Sequence, residues 1–120
     1  MSVRVVITKS FKTAVKSLLK KYPSLSKDLL KLESELIENP NLGTPLGHNA
    51  YKIRLKISSK GKGKSGGARV ISLVETTLIG TVQLKDNEIT VNLITIYDKA
   101  EIATITDKEL RDLIRKFYQE

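Results

Sequence analysis

Lys52, Arg54 and Lys56 alternate with Tyr51, Ile53, Leu55 and Ile57 along one short stretch of the chain. Side chains two apart on a strand share a face, so the pattern predicts an apolar face toward a core and three cations on the other. At about 3.3 Å of rise per residue those cations lie about 6–7 Å apart, close to the phosphate spacing of an extended single strand. A glycine-rich run, 59–67, follows with Lys60, Lys62 and Lys64. Its glycines permit close backbone approach to a ligand and amides that cradle phosphate. Arg69 opens the next strand, where it can face the same cleft as Arg54. Fixed cations aimed at a growing negative charge are usually the largest contribution to catalysis. Tyr97, closing a later apolar strand, adds a phenol, which moves protons when a positive field lowers its pKa. Together these side chains suit RNA cleavage without metal, in which the RNA's own 2′-OH attacks the adjacent phosphate. The protein then stabilises the phosphorane, helps remove the 2′ proton and protonates the leaving 5′ oxygen. Tyr97 reads equally well as a strand-terminal aromatic packed on the last helix.

Other chemistries fit poorly. The chain has no cysteine and a single histidine, His48, which excludes disulfides, thiol nucleophiles and multi-histidine metal sites. His48 follows a turn-rich segment and reads as a loop residue. Gly63-Lys64-Ser65 lacks the upstream glycine and the following helix of a nucleotide-binding phosphate loop. Clustered carboxylates for two-metal catalysis are missing from the basic region. No cofactor is expected.

The charge distribution points the same way. Of a net +8, residues 1–47 contribute +4 and residues 72–120 contribute −3, while residues 48–71 hold seven cations and no acid. Such a block builds a local field that attracts polyanions. No apolar run reaches the roughly 20 residues that a membrane span requires, and the first residues lack the pattern of a signal peptide. These features predict a soluble, cytoplasmic, single-domain protein over 1–120.

The elements that must position the cations follow from periodicity. Val3, Val5 and Ile7 predict a first strand. Phe11, Val15, Leu18, Leu19 and Tyr22 form one helix face, ended by Pro23. Ser24 is placed to cap a second helix with Leu25, Leu29, Leu32 and Leu36 inward, stopped at Asn39-Pro40. Residues 40–48 read as a loop. Strands are expected over 50–58, 69–74 and 89–97, with a continuation or short extra strand over 78–84 and a turn at Asp86-Asn87. Thr106 and Glu109 fit a capping box for a short last helix bearing Leu110, Leu113, Ile114 and Phe117. The class is α+β, with helices 1 and 2 as a hairpin lying on the sheet.

Three motifs carry a resemblance: Tyr51-Lys52-Ile53-Arg54-Leu55, the run 63–71 (Gly-Lys-Ser-Gly-Gly-Ala-Arg-Val-Ile), and Ile96-Tyr97-Asp98-Lys99-Ala100-Glu101. With the Lys-Tyr-Pro-Ser-Leu bend at 21–25 and the Ile-Thr-x-x-Glu-Leu helix start at 105–110, they resemble RelE/ParE-superfamily toxins, nearest the HigB-like branch of type II toxin–antitoxin modules. The resemblance covers nearly the whole chain. It implies a small antiparallel sheet packed against two N-terminal helices, and a ribosome-dependent, metal-independent mRNA endoribonuclease that inhibits translation. It implies catalytic roles for Arg54, Lys64, Arg69 and Tyr97, and RNA contacts from Lys52, Lys56, Lys60, Lys62 and Lys99. It implies two partners, the ribosome with its mRNA and a cognate antitoxin, whose segment is expected to bring acids to the basic face or the helical hairpin. The ParE side of the superfamily inhibits DNA gyrase with a reduced cationic cleft, and seven clustered cations favour the RNA side. A basic module that binds RNA without cutting it is the third alternative.

Overall fold

The alternating and amphipathic segments become a five-stranded sheet with helices on both faces. The computed structural model describes residues 2–60, 66–79, 86–102 and 104–120. In chain order the elements are β1 (Ser2–Ile7), α1 (Lys9–Lys21), α2 (Leu25–Glu38), β2 (Thr44–Gly47), β3 (Ala50–Leu55), a single 3-10 turn (Ser58–Lys60), β4 (Ala68–Ile79), β5 (Asp86–Asp98) and α3 (Asp107–Gln119). The sheet order is β1-β5-β4-β3-β2. The α+β class holds.

The sheet is mixed, not wholly antiparallel. β1 pairs parallel with β5, from Ser2 opposite Glu88 to Ile7 opposite Leu93. Alternation within a strand reports which face is buried and carries nothing about its partner's direction. Residues 44–47, expected in a loop, are instead the edge strand β2, antiparallel to β3. Pro45 suggested a loop, but proline is tolerated on an edge strand, where its missing N–H faces away from the ladder. His48 and Asn49 both have positive φ (56° and 62°), as a tight two-residue hairpin turn requires. Asp86 and Asn87, expected as a turn, begin β5. β4 continues through Leu78 and Ile79, and the rest of the stretch 80–85 lies outside the described residues. β3 ends at Leu55, so the stretch 56–58 leaves the sheet for the 3-10 turn.

One face of the sheet carries α1 and α2. Phe11, Val15, Leu18, Leu25, Leu32 and Leu36 pack there against Ile53, Leu55, Val70, Val91, Leu93 and Ile96. The other face carries α3, whose Leu110 packs with Ala50, Ile71, Leu73, Ile94 and Tyr97. α1 is capped by Thr8, whose Oγ1 accepts the Phe11 N–H at 3.2 Å and donates to the Leu93 carbonyl at 2.7 Å, fastening the helix to β5. Ser24 makes no side-chain cap; its hydroxyl is spent on Asp28 and Ser59. The capping box of α3 is present in full. No described helix is long and apolar enough to cross a membrane.

A bulge in β5 decides which residues share a face. Ile71 lies opposite Thr95 and Ser72 opposite Leu93, so Ile94 is an extra residue in β5. Simple alternation would put Tyr97 on the same face as Leu93. After the bulge Leu93 faces α1 and α2 while Tyr97 faces α3.

Candidate nucleic-acid interface

The register assembles three of the expected residues into one row. Arg54 lies opposite Arg69, and Arg69 lies opposite Tyr97. Directly opposed residues point to the same face, here the α3 face, and with strands about 4.8 Å apart the row is roughly 10 Å across. Lys52, opposite Ile71, is two residues from Arg54 on that face. Two like charges directly opposite each other destabilise a sheet. Among the described strand pairs, Arg54 and Arg69 are the one place where two cations meet in this way.

The members of the row differ in exposure. Arg54 is exposed and Lys52 half-buried. Arg69 is only 5% exposed, and one of its guanidinium nitrogens donates to the Ala68 carbonyl at 3.1 Å. Tyr97 is 7% exposed, and its buried hydroxyl has no hydrogen-bond partner among the described residues. An unsatisfied buried hydroxyl costs about 1–3 kcal/mol. Burial pushes the Tyr97 hydroxyl's pKa up, the Arg69 charge pulls it back, and Glu109 pushes it up again, leaving it raised. The sequence-based expectation of a lowered value is therefore reversed, because desolvation outweighs the positive field.

Lys60 goes elsewhere. Its ammonium donates to Asp98 Oδ1 at 2.7 Å, on the α1–α2 side of the sheet. The wholly buried Asp98 carboxylate also accepts from the Tyr22 hydroxyl at 2.5 Å and the Ala100 N–H at 2.9 Å, with Lys21 at 3.7 Å. Burial opposes ionisation of Asp98. The bonds from Lys60, Tyr22 and Ala100 outweigh it and hold the carboxyl well below the usual carboxylate range. Lys60, expected among the RNA contacts, is engaged in this ion pair. Its bond to Asp98 keeps its own pKa raised against the penalty of burial.

Lys56 is exposed and stands beside Asp28, whose charge it stabilises. Asp28 accepts from the Ser58 hydroxyl at 2.7 Å, the Ser58 N–H at 3.0 Å and the Ser24 hydroxyl at 2.8 Å. Burial again opposes ionisation and these bonds overcome it, so its pKa is lowered. Asp28 and Lys56 border a small cavity of about 100 Å³ at the β3 edge, with Lys31, Glu35 and Arg54. The basic block is acid-free along the chain but not in space. Asp98 and Asp28 meet two of its cations from distant elements.

Both flanks of the basic run are fixed. On one side Ser58 and Ser59 bond to Asp28 and Ser24. On the other, the Lys99 N–H donates to the Gly67 carbonyl at 3.1 Å. Gly67 lies so close to β3 that an added Cβ would come within 2.1 Å of the Leu55 carbonyl oxygen. Lys62 and Lys64 lie outside the described residues. Lys99 is half-buried just beyond the row. His48 is exposed in the β2–β3 turn, with Asp107 at 4.0 Å.

Among the described residues no group of three or more His, Asp or Glu side chains comes together as a metal site. The residues that sequence reasoning missed are the anchors Tyr22, Asp28 and Asp98. A carboxylate at the end of an apolar strand, directly after Tyr97, was the available signal. No protein-family model and no solved structure matches the chain.

Proposed function

We propose that this chain is the toxin of a type II toxin–antitoxin module of RelE-like architecture. In this reading it is a metal-independent mRNA endoribonuclease that acts on ribosome-bound message in the cytoplasm and is held in check by an acidic antitoxin. The row Arg54–Arg69–Tyr97 carries the reading, because it sets two opposed guanidinium groups beside a phenol on one face. Lys52 extends the positive surface by one step along β3. In this reading Arg54 and Arg69 hold the scissile phosphate and stabilise the phosphorane, and Lys52 and Lys64 assist. Lys56, Lys62 and Lys99 contact flanking RNA. Tyr97, with its raised pKa, serves as a proton donor and not as a base. The resemblance in the three motifs supports the same assignment.

The test is transcript-end mapping after induction, with Arg54→Ala as the matched variant, since Arg54 is exposed and its loss spares the core. Codon-phased 5′ ends with the unaltered chain, lost with Arg54→Ala, are the expected result. Intact messages with a supercoiling defect would instead identify a gyrase inhibitor. Intact messages with retained RNA binding would identify a binder that does not cut.

A further inference from the structure

Four of the six exposed large apolar side chains among the described residues lie on β1, α1 and α2. They are Ile7, Leu19, Leu30 and Ile37, and Leu30 is the most exposed at 64%. Ile7, Leu19 and Leu30 border one groove of about 360 Å³, together with half-buried Val5 and Leu29. Contiguous apolar surface is unfavourable in water, and such a patch rimmed by polar residues marks an interaction surface.

The residues around Leu30 on α2 select the partner. At about 100° per residue, Ser26, Lys27, Glu33, Ser34 and Ile37 all fall within about 60° of Leu30 around the helix. All of them are exposed. They are arranged symmetrically about Leu30: Ser26 and Ser34 stand four residues to either side, Lys27 and Glu33 three. A two-fold axis at Leu30 lays α2 antiparallel on the α2 of a second copy. Leu30 then meets Leu30, Ser26 meets Ser34 and Lys27 meets Glu33, the unlike contacts each made twice. At about 1.5 Å of rise per residue, Lys27 and the second copy's Glu33 both lie about 4.5 Å from that axis. Helix axes about 8–10 Å apart bring two such long side chains within reach. Parallel helices would instead set Lys27 on Lys27 and Glu33 on Glu33. Among the described residues neither Lys27 nor Glu33 has an ion-pair partner in its own chain.

We propose that the exposed stripe of α2 is the interface of a symmetric homodimer, with Leu30 at the two-fold axis and Lys27 paired to the second copy's Glu33 on either side. The net charge of +8 on each copy opposes association. That repulsion is largely screened beyond about 8 Å at physiological ionic strength, whereas the Lys27–Glu33 contacts act at close range. The stripe belongs to the helical side of the sheet opposite α3, so the Arg54–Arg69 row of each copy stays uncovered. This inference does not rest on the ribonuclease reading.

The test is sedimentation equilibrium of the full chain from micromolar to millimolar concentration. The mass is expected to climb from 13.4 kDa toward twice that value. Leu30→Glu, at an exposed site, is expected to hold the mass at that of one copy while leaving the circular dichroism spectrum unchanged. Lys27→Glu and Glu33→Lys move the net charge in opposite directions, yet each sets like charges together across the axis. Both are expected to weaken the dimer at least about tenfold. The two substitutions on one chain restore opposite charges at both contacts and are expected to bring the dimer back. The mass of one copy at every concentration overturns the proposal and leaves the stripe to a different protein. A dimer that survives Leu30→Glu overturns it as well. So do single charge substitutions without effect, or a double substitution that fails to recover what the single ones lose.

Discussion

Seven cations in a row along the chain do not have one job. Arg54, Arg69 and Lys52 share the α3 face, while Lys60 crosses to the other side to pair with buried Asp98. Breaking a buried ion pair by removing one partner costs about 3–5 kcal/mol. Tyr22 and Lys21 remain beside Asp98, so Lys60→Ala is expected near the lower end, about 3 kcal/mol, measured by urea unfolding. The pair also sets a pH dependence. The folded-state pKa of Asp98 lies below its unfolded value of about 3.9. Its contribution is therefore complete above about pH 5 and is lost progressively as pH falls below about 4, toward the folded value. Thermal melts from pH 7 down to pH 2 should show Asp98→Asn less stable at neutral pH and less sensitive to acid. Lys60 mirrors this at the alkaline end: its raised value means its contribution is lost as pH climbs through that value.

At the scale of elements, some local signals were legible and others, such as the cap expected at Ser24, were not. Thr106 and Glu109 form the capping box that their spacing announces, with the Glu109 N–H donating to Thr106 Oγ1 at 3.1 Å. Thr106→Ala should cost about 1 kcal/mol, seen as a lowered midpoint in denaturant. The α1 and α2 stripes likewise pack as their periodicity requires, except Leu19, which stays 40% exposed. β2 was not legible, because Pro45 and two flanking glycines resemble a loop until β3 is there to pair with. Nor was the role of Gly67, which sits against the Leu55 carbonyl of the neighbouring strand. Gly67→Ala should cost at least about 2 kcal/mol by forcing β3 and β4 apart at their basic end. If the chain is the toxin proposed above, growth inhibition should weaken with it, because Arg69 is two residues further along the chain.

For the whole molecule the net charge of +8 is the property a polyanion meets first. If the α3 face carries the RNA, its cations and not the total set the salt dependence. Each lost phosphate contact on single-stranded RNA lowers the slope of log K against log salt by about 0.7. Lys52→Gln and Arg54→Gln should each produce that decrement in a salt titration of RNA binding. Lys12→Gln, exposed on α1 across the sheet, should leave the slope unchanged.

By itself the sequence determined the α+β class, both apolar stripes of the helical hairpin, the cap of α3 and the concentration of cations in one region. Each of these depends on residues within a few positions of one another, and periodicity records such relations directly. Only the tertiary structure decided which cations act together. Strand register set Arg54 opposite Arg69, and the extra residue at Ile94 turned Tyr97 onto their face. Asp98 and Asp28 reached two lysines from elements remote in the chain. The physical reason is that charge acts through space, and the distances between strands and helices are fixed only when the core packs.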